Sequence, residues 1–297
     1  MRLLNDYLRE RFGCKVYKIA LNGGFTCPNR DGTLDTRGCI FCSAGGSGEF
    51  AEDSCLSITE QIERGKMRVS DKIQNGKYIA YFQAYTGTYA PVDRLRQLYT
   101  EAIEHPDIVA LSIATRPDCL PIEVLDLLEE LNKTKPVWIE LGLQTVHPST
   151  ADYIRRGYSL DVYDKAVFDL HQRGIEVITH VIIGLPGEST DDILKTLRYV
   201  CDSGTDGIKL QLLHILKGTD LEQEYNAGRV SVLSEDEYID ILKACVAIIP
   251  ETTVIHRLTG DGDKKLLVAP LWSADKKHVY NRIKNEVLIR NICHADP

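Results

Sequence analysis

The chain of 297 residues contains 43% apolar and 26% charged residues, which fits one large globular α/β domain or two ordinary domains. No stretch approaches the roughly 20 uncharged apolar residues that a membrane span needs, and the charged amphipathic N-terminus is unlike a signal peptide. The sequence therefore predicts a cytoplasmic protein without a membrane segment, in which the nine cysteines are thiols or metal ligands and not disulfides.

The formal net charge of −8 argues against a protein that binds polyanions indiscriminately, but the charge is unevenly distributed. Residues 1–31 carry six Lys or Arg against three Asp or Glu, and residues 257–297 carry eight against five. The residues between them carry 21 against 35. The basic ends predict either an electrostatic footprint for nucleic acid or a solvated surface, and composition alone leaves both open.

Predicted strands and helices alternate along most of the chain. After an amphipathic helix at the N-terminus, apolar β-branched runs predict strands, and apolar residues at three- and four-residue spacing predict helices. Apolar and polar residues do not alternate cleanly in the predicted strands, which is typical of parallel strands that are buried on both faces. The predicted strands are 15–21, 77–83, 109–114, 137–143, 176–183 and 207–213. The predicted helices are 57–74, 91–104, 121–131, 160–173 and 190–201.

The C-terminal part breaks this alternation. We predict two helices there, at 222–227 and 234–249, then an irregular stretch and a charged helix at 275–292. The six preceding βα units imply a parallel sheet with right-handed crossovers, either open or closed into a barrel. We therefore predict that residues 1–215 form one α/β catalytic unit with an N-terminal helix, and that residues 216–297 form an extension packed on it.

Three cysteines in one loop are the most informative feature of the sequence. Cys27, Cys39 and Cys42 have C-x11-C-x2-C spacing and follow the first predicted strand, at the edge where parallel α/β proteins place their active sites. Three thiolates suit a soft metal centre, and three instead of four leave one coordination position vacant for chemistry. A zinc site needs a fourth ligand, for which Cys55 remains an alternative.

Seven segments in order along nearly the whole chain carry a family resemblance. They are GFTCPNRDGT, CIFC, FQAYTGTYAP, ATRPDCLP, ELGLQT, HVIIGLPGE and HRLTGD. Together with the cysteine loop, they resemble the radical S-adenosylmethionine (SAM) superfamily, and within it the YhcC/YtqA-type bacterial branch. The cysteine spacing departs from the superfamily's commonest C-x3-C-x2-C and resembles the long-spaced variant of the Elongator catalytic subunit group.

The resemblance implies a fold and two cofactors. The fold is a partial (β/α)6 barrel of the TIM type with a helical C-terminal extension. Cys27, Cys39 and Cys42 would hold a [4Fe–4S] cluster, and SAM would bind its vacant iron. A reductant such as flavodoxin or ferredoxin would then drive the cleavage of SAM to methionine and a 5′-deoxyadenosyl radical, which takes a hydrogen atom from the substrate. A barrel mouth ringed by loops suits such a radical, because it excludes solvent.

The resemblance also implies residues that contact the amino acid part of SAM. The superfamily's Gly-Gly-Glu motif is absent from the end of the second predicted strand. Gln83 and Thr86 lie there instead and offer acceptor oxygens for the SAM amino group. Arg116, after the third strand, either pairs with the SAM carboxylate or forms an ion pair within the protein.

Further positions correspond to the nucleoside part of SAM. Glu140 and Gln144 flank the end of the fourth strand and either accept from the ribose hydroxyls or belong to a buried polar network. The segment 180–188 resembles the element of the superfamily that contacts adenine. Within it, Gly184 allows close backbone approach to a flat ring, and Ile182 and Ile183 offer dispersion contacts.

Polar residues near the sixth strand are predicted to face the substrate. Because successive side chains of a strand point to opposite faces, Lys209 and Gln211 share one face of that strand. We therefore predict that both are polar groups inside the barrel. His214 either caps the strand end near the substrate or is a hydrogen-bonded core residue. His256 and Arg257 begin a short glycine-containing turn of mixed charge, and we predict that this turn folds over the barrel mouth and contacts the substrate.

The sequence leaves three functions open. The first follows from the resemblance: modification of the C5 side chain of the wobble uridine in tRNA, where Elongator-type relatives act and where the YtqA-type branch is linked to aminomethyl-type side chains. Because the chain ends at residue 297 without an acetyltransferase domain, acetyl-CoA-dependent carboxymethylation is not expected. The second function is radical chemistry on a small metabolite or cofactor precursor, which the acidic middle of the chain favours. The third is a non-catalytic, zinc-containing RNA-binding protein.

Overall fold

The computed structural model describes residues 1–73, 76–260 and 262–288. Ten strands lie in that part of the chain, eight of them in one parallel sheet and two in a separate antiparallel pair. In chain order they are β1 (Arg2–Leu3), β2 (Val16–Leu21), β3 (Lys77–Phe82), β4 (Ile108–Thr115), β5 (Val137–Gln144), β6 (Glu176–Ile183), β7 (Gly207–Leu212), β8 (Ile215–Leu216), β9 (Val254–Arg257) and β10 (Leu267–Ala269).

Ten α-helices lie in the same ranges, and side-chain caps mark several of their starts. Ser57, Ser189 and Ser234 each accept from the backbone N–H three residues on, in a reciprocal capping box. None of the helices in the described ranges is long and apolar enough to cross a membrane. The helices are α1 (Leu4–Phe12), α2 (Ile58–Val69), α3 (Val92–Glu104), α4 (Ile122–Asn132), α5 (Pro148–Tyr153), α6 (Leu160–His171), α7 (Thr190–Asp202), α8 (Asp220–Asn226), α9 (Glu235–Ile248) and α10 (Lys276–Arg282).

The parallel sheet curls into a partial barrel. Its strand order is β1-β9-β7-β6-β5-β4-β3-β2, so the six strands expected from the sequence, now β2 to β7, are consecutive neighbours joined by helices. Buried side chains such as Phe82, Leu128 and Val177 form the main core of the protein. The predicted partial (β/α)6 barrel is therefore confirmed.

The chain after residue 249 differs from its prediction as an irregular stretch. Residues Val254–Arg257 form β9, which pairs in parallel with β7 on one side and with β1 on the other. His256 and Arg257 therefore end a strand, and the prediction that they begin a turn is wrong. Sequence periodicity missed this strand because only two adjacent residues in it are apolar and β-branched. The boundary predicted at residue 215 stays a prediction, although a strand from beyond it completes the sheet.

Two predicted helices are shorter in the structure. Helix α2 ends at Val69 and a short 3-10 turn follows it, while residue 74 of the prediction lies outside the described residues. Helix α10 ends at Arg282 and continues as the π-helical segment Ile283–Leu288. The last residues of that predicted helix, 289–292, also lie outside the described residues.

Side chains inside the barrel form layers along its axis. The lowest layer is apolar, and Leu8 of α1 packs into it. Helix α1 is held there because Tyr7 and Arg11 both bond the Glu176 carboxylate at the start of β6. The helix thus closes the bottom of the barrel and leaves the polar layers toward the carboxyl ends of the strands. The strand residues of the lowest layer are Val16, Ile79, Ala110, Trp138 and Ile178.

Candidate functional site

The three cysteines of the predicted metal loop meet at one cavity. Cys27, Cys39 and Cys42 follow the end of β2 and line a cavity of about 170 Å³ at the carboxyl ends of the strands. The loop turns tightly, since the Cys42 N–H donates to the Cys39 carbonyl at 2.9 Å and the Arg30 N–H donates to the Cys27 carbonyl at 2.8 Å. Cys55 is exposed and does not line this cavity, so the structure does not bring it to the other three as a fourth ligand.

Burial and nearby charges act on these thiols in opposite directions. Burial and the Cys42 thiol raise the pKa of Cys39 to about 12. Arg116 and Asn29, whose amide nitrogen lies 3.5 Å from the Cys39 sulfur, lower it. Burial also raises the pKa of Cys42, against the opposing effect of Arg30. A metal centre that binds these sulfurs therefore displaces protons, and the flanking guanidinium groups favour the thiolates that it needs.

The donor set fits a [4Fe–4S] cluster with one open iron better than a structural zinc ion. The three thiols are the only cysteines on the described walls of the cavity. The one histidine on those walls, His180, is hydrogen-bonded to Glu140 at 2.8 Å and to Gln211 at 3.1 Å. A structural zinc site needs four ligands, whereas a cluster that binds a small molecule needs three and a vacancy.

Most of the other predicted site residues line the same cavity. They lie on or shortly after β3, β4, β5, β7 and β9, with Glu140 and Lys209 in the middle of their strands and the others toward the carboxyl ends, which converge at one mouth. What each residue does toward a cofactor or substrate stays a prediction. The eight residues are Gln83, Thr86, Arg116, Glu140, Gln144, Lys209, Gln211 and Arg257.

Four predicted residues lie elsewhere. His214 lines a second cavity of about 120 Å³ that adjoins the first. His256 lies against Trp138, with 6.0 Å between the ring centroids, and lines neither cavity. Ile183 is fully buried in the main core, and Gly184 follows it with a φ of 91°. Contacts of these four residues with adenine or substrate stay predictions.

Two residues at the cavity have a strained backbone. Tyr85 and Gln144 have φ values of 58° and 67°, in the left-handed region that side chains disfavour. The Tyr85 hydroxyl donates to the Ala44 carbonyl at 2.5 Å and its N–H donates to the Gly46 carbonyl at 2.8 Å, which holds the residue in place. Strain of this kind costs on the order of 1–3 kcal/mol and is concentrated at ligand sites.

Glu140 is the centre of a charged network below the cysteines. This fully buried residue of β5 accepts through Oε1 from Lys18 Nζ at 2.5 Å and from Ser112 Oγ at 2.7 Å. Its Oε2 accepts from His180 Nε2 at 2.8 Å and from Lys209 Nζ. The buried polar network, one of the two roles that the sequence left open for Glu140, is therefore present.

Burial and mutual attraction set the charges of this network. Burial raises the pKa of Glu140, but the Lys18 and Lys209 charges overcome it and hold the pKa well below its usual range. Burial and the Lys209 charge lower the pKa of His180 to about 4, despite the bond to Glu140. At neutral pH the network therefore contains an ionised carboxylate and a neutral imidazole.

Arg116 takes the protein-internal role that the sequence left open. Its guanidinium donates to Asp118 from Nε at 2.9 Å and from Nη2 at 2.7 Å, a bidentate ion pair. The same group lies 5.3 Å from the ring centroid of Tyr158 and lines the cavity. A pairing with the SAM carboxylate stays a prediction, and it would add to this ion pair.

Several residues on the cavity walls are not among those predicted from the sequence. Arg30 donates to the carbonyls of Cys42 and Ser43 at 2.9 and 2.6 Å, which ties the two ends of the cysteine loop together. Arg156 lies 4.6 Å from the ring centroid of Tyr158 on a loop between helices. For Arg30 the available signal was an arginine three residues after the first cysteine. Arg156 and Tyr158 carry no spacing that points to the site.

We expect His180 to make stability depend on pH. Its pKa is about 4 in the folded protein and near 6.5 in the unfolded chain, so the unfolded chain binds more protons between these pH values. The free energy of unfolding should therefore fall as pH decreases from 6.5 toward 4, by up to roughly 3 kcal/mol from this residue. Urea unfolding of the metal-free protein at several pH values measures the slope. His180→Gln should flatten it, and an equal slope in both proteins would contradict the depressed pKa.

Two family models match the chain. The Radical SAM superfamily model matches residues 33–200, and the Radical_SAM C-terminal domain model matches residues 205–288. Among curated proteins, YtqA of Bacillus subtilis is 47% identical over 96% of this chain and 88% of that protein. YhcC of Escherichia coli K12 is 40% identical over 91% of this chain and 86% of that protein.

More distant similarities extend to proteins of the Elongator type. The tRNA uridine(34) acetyltransferase of Methanocaldococcus jannaschii is 27% identical over 56% of this chain and 30% of that protein. The solved structure of archaeal Methanocaldococcus infernus Elp3 superposes with a TM-score of 0.67 at 18% identity. That superposition covers 91% of this chain and 62% of the other, and it shows a shared fold.

Proposed function

Because the chain belongs to the radical SAM superfamily, in the branch that contains YhcC and YtqA, we propose that it is an enzyme that holds a [4Fe–4S] cluster on Cys27, Cys39 and Cys42. When bound, the reduced cluster supplies the electron that cleaves SAM to methionine and a 5′-deoxyadenosyl radical. The observation that carries the proposal is the cavity in which three thiols converge without a fourth cysteine on its described walls. A flavodoxin or ferredoxin is the proposed electron donor.

The residues around the cysteines are suited to prepare this site. Arg30 and Arg116 favour the thiolate forms of the ligands. The Gln83 amide oxygen and the Thr86 hydroxyl lie on the cavity wall and can accept from the ammonium group of SAM. Helix α1 and the apolar layer above it exclude water from below, which protects a reactive radical from side reactions.

The opposite wall of the cavity is the proposed substrate side. Lys209 and Gln211 of β7 and Arg257 of β9 line it. Lys209 Nζ lies 3.2 Å from the Tyr81 hydroxyl and bonds Glu140, so its position is fixed from two directions. These groups are proposed to orient the substrate for hydrogen-atom abstraction, because a fixed geometry is what such a transfer requires.

We infer that the substrate is the C5 side chain of the wobble uridine in tRNA. The similarity to a tRNA uridine(34) acetyltransferase supports this, as does the fold shared with archaeal Elp3. The match spans 30% of the acetyltransferase, so the proposal takes from it the reacting base and not the acetyl transfer. The basic ends of the chain are compatible with a tRNA partner.

Nucleoside analysis tests this substrate. We expect tRNA from a strain that lacks the gene to lose a C5-modified wobble uridine and to accumulate its precursor. Expression of the natural protein should restore the modified nucleoside, and expression of the Cys39→Ala variant should not. An unchanged profile of wobble-uridine modifications in the deletion strain would refute the tRNA substrate while leaving the cluster chemistry in place.

A small metabolite is the second candidate substrate. The acidic middle of the chain favours it, because 21 basic residues against 35 acidic ones there repel a polyanion. This candidate predicts that the protein has no salt-dependent affinity for tRNA, whereas the tRNA candidate predicts a steep dependence.

A further inference from the structure

The cavity that holds the cysteines continues into the smaller one. The cavity of about 120 Å³ shares Gln83, Gln211 and Arg257 with it. Its other walls come from the cysteine loop, at Glu49, and from the turn before β10, at Asp263. A substrate group that reaches Gln211 by this route therefore passes between the cysteine loop and the β8–β10 pair.

Three lysines lie together at the outer end of the β8–β10 pair, and we call them the lysine rim: Lys217, Lys264 and Lys265. The Lys217 N–H donates to the Leu266 carbonyl at 2.8 Å, which puts the two chain segments side by side. All three side chains are exposed. Within residues 1–73, 76–260 and 262–288, no carboxylate lies within 4 Å of their ammonium groups.

Two described carboxylates accept from backbone amides of the rim or next to it. Asp263 Oδ1 accepts from the Lys265 N–H at 2.8 Å, and Glu222 Oε2 accepts from the Gly218 N–H at 2.7 Å. They reduce the net charge of the region but leave the three ammonium groups of the lysine rim free of ion pairs with described residues. The rim therefore presents cations to solvent beside the smaller cavity, on a chain whose net charge is −8.

An exposed aromatic ring lies on the cysteine-loop side of the smaller cavity. Phe50 follows Glu49, which lines the cavity, and 40% of its surface is exposed. The Lys276 ammonium lies 5.2 Å from the ring centroid. Aromatic rings on which bases stack, together with cations that bind the phosphates, are the combination with which proteins hold single-stranded nucleic acids.

We propose that the lysine rim binds backbone phosphates of a single-stranded RNA loop while Phe50 stacks on one of its bases, so that the neighbouring base enters the cavity. This inference rests on the proposed function and deepens it by assigning the docking surface. An enzyme that acts on a base has to take it out of the stack, and an unpaired loop makes that step inexpensive. The residues that precede the ring and the rim in the sequence, Glu49, Leu216 and Asp263, line the smaller cavity that leads to Gln211, which suits such a docking mode.

The affinity for an unmodified anticodon stem–loop at several salt concentrations tests the surface. Variant K217A/K264A/K265A should lower the slope of log affinity against log salt by roughly 2 to 3, because each phosphate contact contributes about 0.7–0.9. If the affinities converge near 1 M salt, binding at 0.1 M should be about 100- to 1,000-fold weaker. Phe50→Ala should weaken binding by about 5- to 150-fold with the slope unchanged.

A control with the same change in charge uses lysines on the outer helices. K133A/K165A/K195A removes three exposed lysines that pair with Glu129, Asp169 and Asp192, and it should keep the natural slope. Iron and sulfide content confirms that each variant is loaded. If the natural protein binds with no salt dependence, the proposed tRNA function fails. If it binds with a steep slope that the rim variant and the control share, the docking surface is overturned and the function stands.

Discussion

The Cys39→Ala variant is expected to lose both its iron–sulfur cluster and its capacity to cleave SAM. Two thiolates cannot hold a [4Fe–4S] cluster that already lacks a fourth protein ligand, and without a cluster no electron reaches SAM. The natural protein, purified without oxygen, should be brown and contain close to four iron and four sulfide ions per chain. Reduction in the presence of SAM should then release 5′-deoxyadenosine from the natural protein and none from the variant.

Cys55→Ala is the matched control for this experiment. Cys55 is exposed and does not line the cavity, so its loss should change neither cluster content nor SAM cleavage. A natural protein that is colourless and binds zinc would refute the cluster and support the zinc-containing RNA-binding protein instead. Full cluster content in the Cys39→Ala protein would show that another residue is the third ligand.

The second large effect is expected from Glu140→Gln. Burial lowers the pKa of Lys209 to about 7, so we compare the proteins at pH 6, where Lys209 is mainly charged. There the change leaves the buried Lys209 and the largely buried Lys18 without their counter-charge, and breaking a buried pair in this way costs up to about 3–5 kcal/mol. The free energy of unfolding of the metal-free protein in urea should fall by that amount. Glu130→Gln is the control, because it removes the carboxylate of the exposed pair with Arg96 and should cost less than about 1 kcal/mol.

A double variant distinguishes two causes of the lost stability: the attraction between Glu140 and the lysines, and the buried charge that is left without a partner. In Glu140→Leu/Lys209→Met, an apolar pair replaces two groups of the network. The part of the loss in Glu140→Gln that comes from Lys209 should return, since buried ion pairs and apolar pairs of similar volume are often nearly equivalent, whereas Lys18 still lacks its counter-charge. Equal and small losses in Glu140→Gln and Glu130→Gln would mean that solvent screens the network, contrary to its burial.

The strands and the cysteine loop were predictable because their signals are local. Lys209 and Gln211 alternate with Leu210 and Leu212, so the period of two residues is enough to assign the inner face of β7. The cysteines were found from their spacing and from their place after the first strand of the barrel. In both cases the information lies within a short stretch of chain.

Other features depend on contacts between distant segments. Glu140 draws together residues from β2, β4, β6 and β7, and no pattern around it in the sequence shows that both of its oxygens are occupied. The short strand β9 exists because β7 and β1 offer it hydrogen-bonding partners. In the segment 180–188, Ile182 lines the smaller cavity and Ile183 does not, a difference of one residue in register.

The pairing of β1 with β9 also bears on the order in which the protein is made. The Met1 ammonium lies 2.8 Å from Glu251, and Arg2 lies opposite Val254, so residues Arg2–Leu3 take their place in the sheet only after residues about 250 positions further along the chain have been made. At 5–20 residues per second, Arg257 emerges about 10 to 40 s after the cysteine loop. During that interval the nascent chain has the three cysteines but not Arg257 on the opposite wall, so the cavity that they share is complete only after Arg257 has left the ribosome.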